Sequence, residues 1–167
     1  ERQPQKPEGC DDGIIRGAYV INKPVEETGP LVRLMGSGPI LKNVVEASEK
    51  LREYGVRTEI WSVTSYGELR REGIEVERMK RLNPSDDTEP YVVSCFGDGV
   101  PTVAASDYIA AVPEMIQRWV GGSFCVLGTD GYGRSDKRAA LSKFFEIYSY
   151  SIVIGALSLL EKDGIMG

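Results

Sequence analysis

The stretch Cys125-Val126-Leu127-Gly128-Thr129-Asp130-Gly131-Tyr132-Gly133-Arg134-Ser135-Asp136 gathers the residue types best suited to a site. An apolar run breaks into a loop rich in glycine, with Asp130, Arg134 and Asp136 as charges. A helix pattern then opens at Ser135-Asp136. Strand, turn and helix N-terminus is the junction where α/β folds place sites and contacts. Tyr132 brings an apolar body with a polar tip, and Arg134 a planar fork for carboxylates or backbone carbonyls. Two uses are open to these groups: a contact with another surface, or a purely internal one. In the second, Asp136 caps its own helix and Arg134 pairs with Asp130.

Gly36-Ser37-Gly38-Pro39 is the second such stretch. A strand, a glycine turn and a helix is also the shape of a phosphate cradle. The full G-x-G-x-x-G pattern needs a third glycine where Leu41 stands, and no Walker lysine follows. A tight turn feeding a helix capped by Ser37, with Pro39 in its first turn, is the expected reading. The three cysteines, Cys10, Cys95 and Cys125, are odd in number and widely spaced, so no disulfide framework or CxxC site is visible. They fit small buried thiols in a reducing, cytoplasmic setting. There is no histidine, which removes Ser-His-Asp and Cys-His triads, His-bearing zinc sites and the commonest general base from this chain.

A formal charge of −5 argues against a nucleic-acid partner or an anionic membrane surface. No apolar run approaches the roughly 18 residues of a membrane span. With 167 residues, a single domain with a real core is expected. Residues 1–13, with Pro4, Pro7 and Gly9, read as a linker, and 14–167 as the domain. Strands are expected over 14–21, 31–35, 56–63, 91–96 and 123–127. The run 91–96, broken only by Ser94, reads as a central strand buried on both faces. Helices are expected from 39 to 54, from 68 to 82 with a hinge at Gly73, from 107 to 112, from 138 to 145, and finally after a cap at Ser149 or Ser151. Ser65 and Glu68 have capping-box spacing. The basic residues from Arg70 to Arg81 alternate with glutamates and read as a solvated helix face. The order, one strand and then four strand-helix units, implies an α/β fold with a mostly parallel sheet and helices on both faces.

Several runs together resemble the C-terminal domain of the homodimeric E1 component of bacterial pyruvate dehydrogenase complexes. They are Trp61-Ser62-Val63-Thr64-Ser65-Tyr66-Gly67-Glu68-Leu69, Glu77-Arg78, Leu82-Asn83-Pro84 and Ala104-Ala105-Ser106-Asp107-Tyr108. The most specific run is Val126 to Asp136, followed by Arg138, Leu141 and Phe145-Glu146. The resemblance extends in order from about Gly13 to Gly164. It implies the fold of the transketolase-like thiamine diphosphate enzymes: a three-layer α/β/α sandwich on a mixed five-stranded sheet whose first strand is antiparallel. The chain departs from the family at Lys143 and Phe144, where members commonly carry histidine, and at Pro113, which interrupts a helix.

The resemblance further implies a whole enzyme that decarboxylates pyruvate oxidatively on thiamine diphosphate and Mg²⁺ and acetylates a lipoyl-bearing E2 acyltransferase. In that family the cofactor sits between two other domains of opposing subunits. Gly97-Asp98-Gly99 begins the family's metal motif, but no asparagine follows Asn83 to complete it. The expectation is therefore a structural domain with no catalytic, cofactor or metal residues of its own. Its partners would be the other domains of the E1 chain, a second E1 subunit and E2. Asp130, Tyr132, Arg134 and Asp136 are the candidate interface. The alternatives are a stand-alone anion-binding or regulatory module, or the equivalent domain of a transketolase or another 2-oxoacid E1.

Overall fold

The computed structural model describes residues 4–25, 28–129 and 138–167, with the backbone alone over 138–147. Five strands form one sheet in the order β1-β3-β2-β4-β5. They are β1 (Ala18–Asn22), β2 (Leu31–Gly36), β3 (Arg57–Val63), β4 (Thr102–Ala105) and β5 (Phe124–Leu127). The first strand runs antiparallel to β3; all other pairs are parallel. Strand alternation sends Val32, Leu34, Ile60 and Val103 to one face and Met35, Val63 and Ala104 to the other. Over the first face lie α2 (Leu41–Glu53) and α6 (Arg138–Lys162), which contribute Val44, Ala47, Leu51, Ile152, Ala156 and Leu160. Over the second lie α3 (Tyr66–Leu82) and α4 (Tyr91–Phe96), with Leu69, Val92, Phe96 and Trp119 at its centre. The three-layer mixed sandwich is as expected, and the sheet separates two apolar cores.

The fourth strand is not where the sequence pattern placed it. Residues 91–96 are the helix α4, started by Pro90, with Ser94 N–H bonded to Pro90 O at 3.0 Å and Gly97 N–H to Val93 O at 2.7 Å. A short apolar run is ambiguous between strand and buried helix. The decisive signal is that Val92, Cys95 and Phe96 are the buried members, a helical spacing. The real β4, Thr-Val-Ala-Ala, is wholly buried but holds two alanines, which favour strands weakly.

Other boundaries shift for local reasons. Where a strand was expected from Ile14, α1 (Asp11–Arg16) ends at Gly17, whose φ of 110° suits glycine and where a Cβ would lie 2.6 Å from Ser65 O. The helix α3 is continuous through Gly73, so that glycine is a notch and not a hinge: a Cβ there would meet Trp119 Cζ2 at 2.9 Å. In place of a helix over 107–112 there is a turn followed by the short α5 (Ala111–Glu114). The two expected C-terminal helices are one, α6, and Ser149 caps nothing; its hydroxyl donates to Glu46 Oε1 at 3.3 Å. Ser65 does cap α3, accepting from Glu68 N–H at 3.0 Å. The reciprocal half of the box is absent, because Glu68 engages Arg71 and Ser65 N–H goes to Gly17 O.

Candidate functional site

At the carboxyl edge of the sheet the chain leaves β2 through α2 towards β3, and leaves β4 through α5 towards β5. The crevice between neighbours whose connections diverge is where open α/β sheets bind ligands. Ser37 follows β2, Ser106 follows β4, and both are buried. Ser37 Oγ donates to Ser106 Oγ at 3.1 Å, and Ser106 Oγ also accepts from Tyr108 N–H at 3.1 Å. Ser37 precedes a 3-10 turn, Gly38–Ile40, with Pro39 in its first turn as expected, but makes no side-chain cap. Its hydroxyl is spent across the crevice instead.

The loop leaving β5 is rooted beside these serines. Tyr148 OH lies 2.6 Å from Ser106 O and 3.0 Å from Leu127 O. Thr129 Oγ1 donates to Asp107 O at 2.8 Å and its N–H to Tyr108 O at 3.0 Å. A Cβ on Gly128 would stand 2.5 Å from Ala110 N, so the two backbones touch where only glycine fits. Tyr108 and Ile109 are left exposed on this edge. Asp130, Tyr132, Arg134 and Asp136 lie outside the described residues.

The amino edge carries a cluster that sequence reasoning missed. Arg33 on β2 is 1% exposed. Its Nε and Nη2 donate to Glu59 Oε2 at 3.1 and 3.0 Å. Its Nη1 and Nη2 donate to Asp98 Oδ1 and Oδ2 at 3.1 and 2.6 Å. The guanidinium also faces the rings of Phe96 and Trp61. Burial opposes the charge, but the Asp98 and Glu59 carboxylates outweigh it and raise the Arg33 pKa. Burial likewise opposes ionisation at Asp98, yet Arg33 and the Val100 N–H hold its carboxyl below the usual range. The available signal was an arginine inside the apolar strand Leu31-Val32-Arg33-Leu34-Met35, which requires buried carboxylates.

Burial pushes the Cys95 and Cys125 thiols up, which keeps them protonated near neutrality. Burial also raises Tyr66, whose hydroxyl has no hydrogen-bond partner among the described residues. Burial likewise dominates the upward shift at Tyr91, whose hydroxyl donates to Ala18 O at 2.7 Å. Among the described residues no three His, Cys, Asp or Glu side chains are grouped as metal ligands. Both oxygens of Asp98 in Gly97-Asp98-Gly99 are committed to Arg33. The described residues thus do not fit thiamine diphosphate or its Mg²⁺.

Comparison with known proteins agrees with this architecture. The chain is 42% identical to the pyruvate dehydrogenase E1 component of Pseudomonas aeruginosa over 97% of its own length and 19% of that protein's. It is 40% identical to that of Escherichia coli K12 over 96% of its length and 18% of the relative's. The chain therefore spans about a fifth of the curated relatives it matches. Among solved structures, the transketolase from Leishmania mexicana superposes with a TM-score of 0.59 at 19% identity, covering 90% of this chain and 19% of that one. A Pichia stipitis transketolase, in complex with sedoheptulose-7-phosphate, gives 0.56 at 18% identity over 88% of this chain and 18% of its own. At such identities the likeness is one of fold. Residues 17–148 match the transketolase-like TK C-terminal domain family, and the chain belongs to it.

Proposed function

We propose that this chain is the C-terminal domain of a pyruvate dehydrogenase E1 component, serving as structural support and dimer interface. The observation that carries the reading is colinear identity of 35–43% with E1 components across nearly the whole chain. In the whole enzyme, oxidative decarboxylation of pyruvate would proceed on thiamine diphosphate with Mg²⁺ held by domains other than this one. Reductive acetylation of lipoyl-E2 would follow, in a cytoplasmic homodimer. When bound, the cofactor supplies stabilisation of the carbanion left by decarboxylation. This chain's contribution is to brace the subunit and present the β5 loop to a neighbouring surface.

Asp130, Tyr132, Arg134 and Asp136 are assigned to that contact. Support comes from the root of the loop: Thr129, Gly128 and Tyr148 pin its start against the 106–110 turn. A pinned root lets a loop present fixed groups at low entropic cost. The test is Arg134→Ala in the full-length polypeptide. Sedimentation should show a weaker dimer, with activity falling in parallel. Unchanged sedimentation together with unchanged turnover would remove the assignment.

A further inference from the structure

β1 and β5 are the outer strands of the sheet. An outer strand offers unpaired main-chain groups to any other strand, and folded proteins guard it with bulges, prolines or charges. β1 is guarded: a bulge falls between Val20 and Asn22, and Lys23 and Pro24 follow. β5 has none of these devices. Ser123-Phe124-Cys125-Val126-Leu127-Gly128 carries no charge and no proline, and its pairing with β4 is regular. Every residue of β5 is half-buried, whereas β4 is wholly buried. Thr102 N–H is bonded to Ser123 O and Ser106 N–H to Leu127 O. Ser123, Cys125 and Leu127 therefore turn their main chain to β4, and Phe124 and Val126 turn theirs outward. Among the described residues nothing bonds to those outward groups. We propose that β5 pairs antiparallel with β5 of a second copy of this chain, joining two five-stranded sheets into one.

The surroundings of β5 suit a second copy. The helix α6 runs along its whole length. Tyr148 OH lies 3.0 Å from Leu127 O, a Cβ on Gly155 would lie 3.4 Å from Cys125 Sγ, and Ser123 Oγ donates to Asp163 Oδ1 at 2.7 Å. Because α6 also packs on β4, its axis lies over the gap between the two strands. With strands about 4.8 Å apart, a two-fold axis beside β5 sets the two α6 axes about 10 Å apart. That is the spacing of packed helices, and it needs small side chains where they meet. The flank of α6 over β5 carries Ser151, Gly155 and Ser158, a turn apart. From Tyr148 to Leu160 the helix has no charge, and Ile154 beside this flank is 64% exposed. Two chains of net charge −5 thus meet here without like charges opposed along the strand.

The register follows from which groups face out. With Phe124 of one copy opposite Val126 of the other, each such pair exchanges both N–H···O bonds. Cys125 then falls on the two-fold axis, its Cα about 4.5 Å from its counterpart. A disulfide can span that separation.

The inference deepens the dimer-interface reading given above and rests on it for the existence of the dimer. The test uses the full-length polypeptide. Hydrogen exchange over residues 123–128 should find the Phe124 and Val126 amides slowed at least about tenfold relative to Ser158→Arg, which puts a bulky charge on the meeting flank. Ser158→Arg should also raise the dimer dissociation constant at least about tenfold in sedimentation, while Met79→Arg, at an exposed site on α3, should leave it within about twofold. Oxidation with copper phenanthroline should give a covalent dimer that Cys125→Ser abolishes. Fast exchange at both amides in a dimer that persists, or equal effects of the two arginine substitutions, would overturn the pairing and leave the dimer reading standing. A monomer at every concentration would remove both. Slow exchange with no Cys125-dependent covalent dimer would assign the outward groups to a different strand and overturn the proposal equally.

Discussion

The two edges of the sheet solve the problem of buried polar groups in opposite ways. At the carboxyl edge, Ser37, Ser106, Thr129 and Tyr148 are neutral hydroxyls that tie together loops distant in sequence. At the amino edge a single buried guanidinium is clamped by two carboxylates, Glu59 buried beside it and Asp98 at the surface. Neutral hydroxyls can exchange partners at small cost, whereas a buried charge cannot lose one without leaving the other uncompensated. The carboxyl edge is therefore suited to presenting a loop, and the amino edge to fixing β2, β3 and the Gly97–Gly99 turn.

This contrast can be broken by mutation, and Arg33→Ala should have the largest effect. It strands Glu59 in the core, and urea denaturation should record a loss of about 3–5 kcal/mol. Arg33→Met, which keeps the volume, should lose less when made together with Glu59→Gln. Gly128→Ala comes next. Its methyl group would meet the Ala110 backbone, and about 1–3 kcal/mol should be lost unless the β5 loop moves. Ser106→Ala should cost only about 1 kcal/mol by the same measurement, as expected for one neutral hydroxyl among several. A larger loss at Ser106 than at Arg33 would reverse the assignment of the two edges.

The smallest effect is the acid dependence of the clamp. The folded-state pKa of Asp98 lies below its ordinary 3.8. Its contribution is thus fully present above that value and is lost as pH falls through the lower, folded one. Its side chain is 54% exposed, so solvent screening keeps the contribution modest. Asp98→Asn should flatten the fall in melting temperature below about pH 4 relative to the parent chain. An unaltered acid profile would remove Asp98 from the clamp.

Much of this arrangement was legible from residue patterns, and the exceptions have physical causes. Leu31–Gly36, Arg57–Val63 and Phe124–Leu127 are apolar or β-branched runs bounded by turn residues, and they fold as strands close to the expected limits. The Ser65 cap was readable because a capping serine acts over three residues. Tyr91–Phe96 and Thr102–Ala105 were not separable by local pattern, since burial by tertiary neighbours decides between strand and helix there. The number of strands was right although one strand was misplaced. The Ser37–Ser106 bond spans 69 residues, and Arg33–Asp98 spans 65, distances over which spacing carries no signal. The charge pattern around Val126 to Asp136 was readable as a contact or as an internal pair. Local sequence does not choose between those two.

The central claim is that this domain supports an enzyme whose cofactor is held elsewhere. Calorimetric titration of the chain with thiamine diphosphate and Mg²⁺ tests it most directly. No saturable heat is predicted at concentrations where a full-length E1 component saturates. A saturable isotherm with stoichiometry near one would contradict the account.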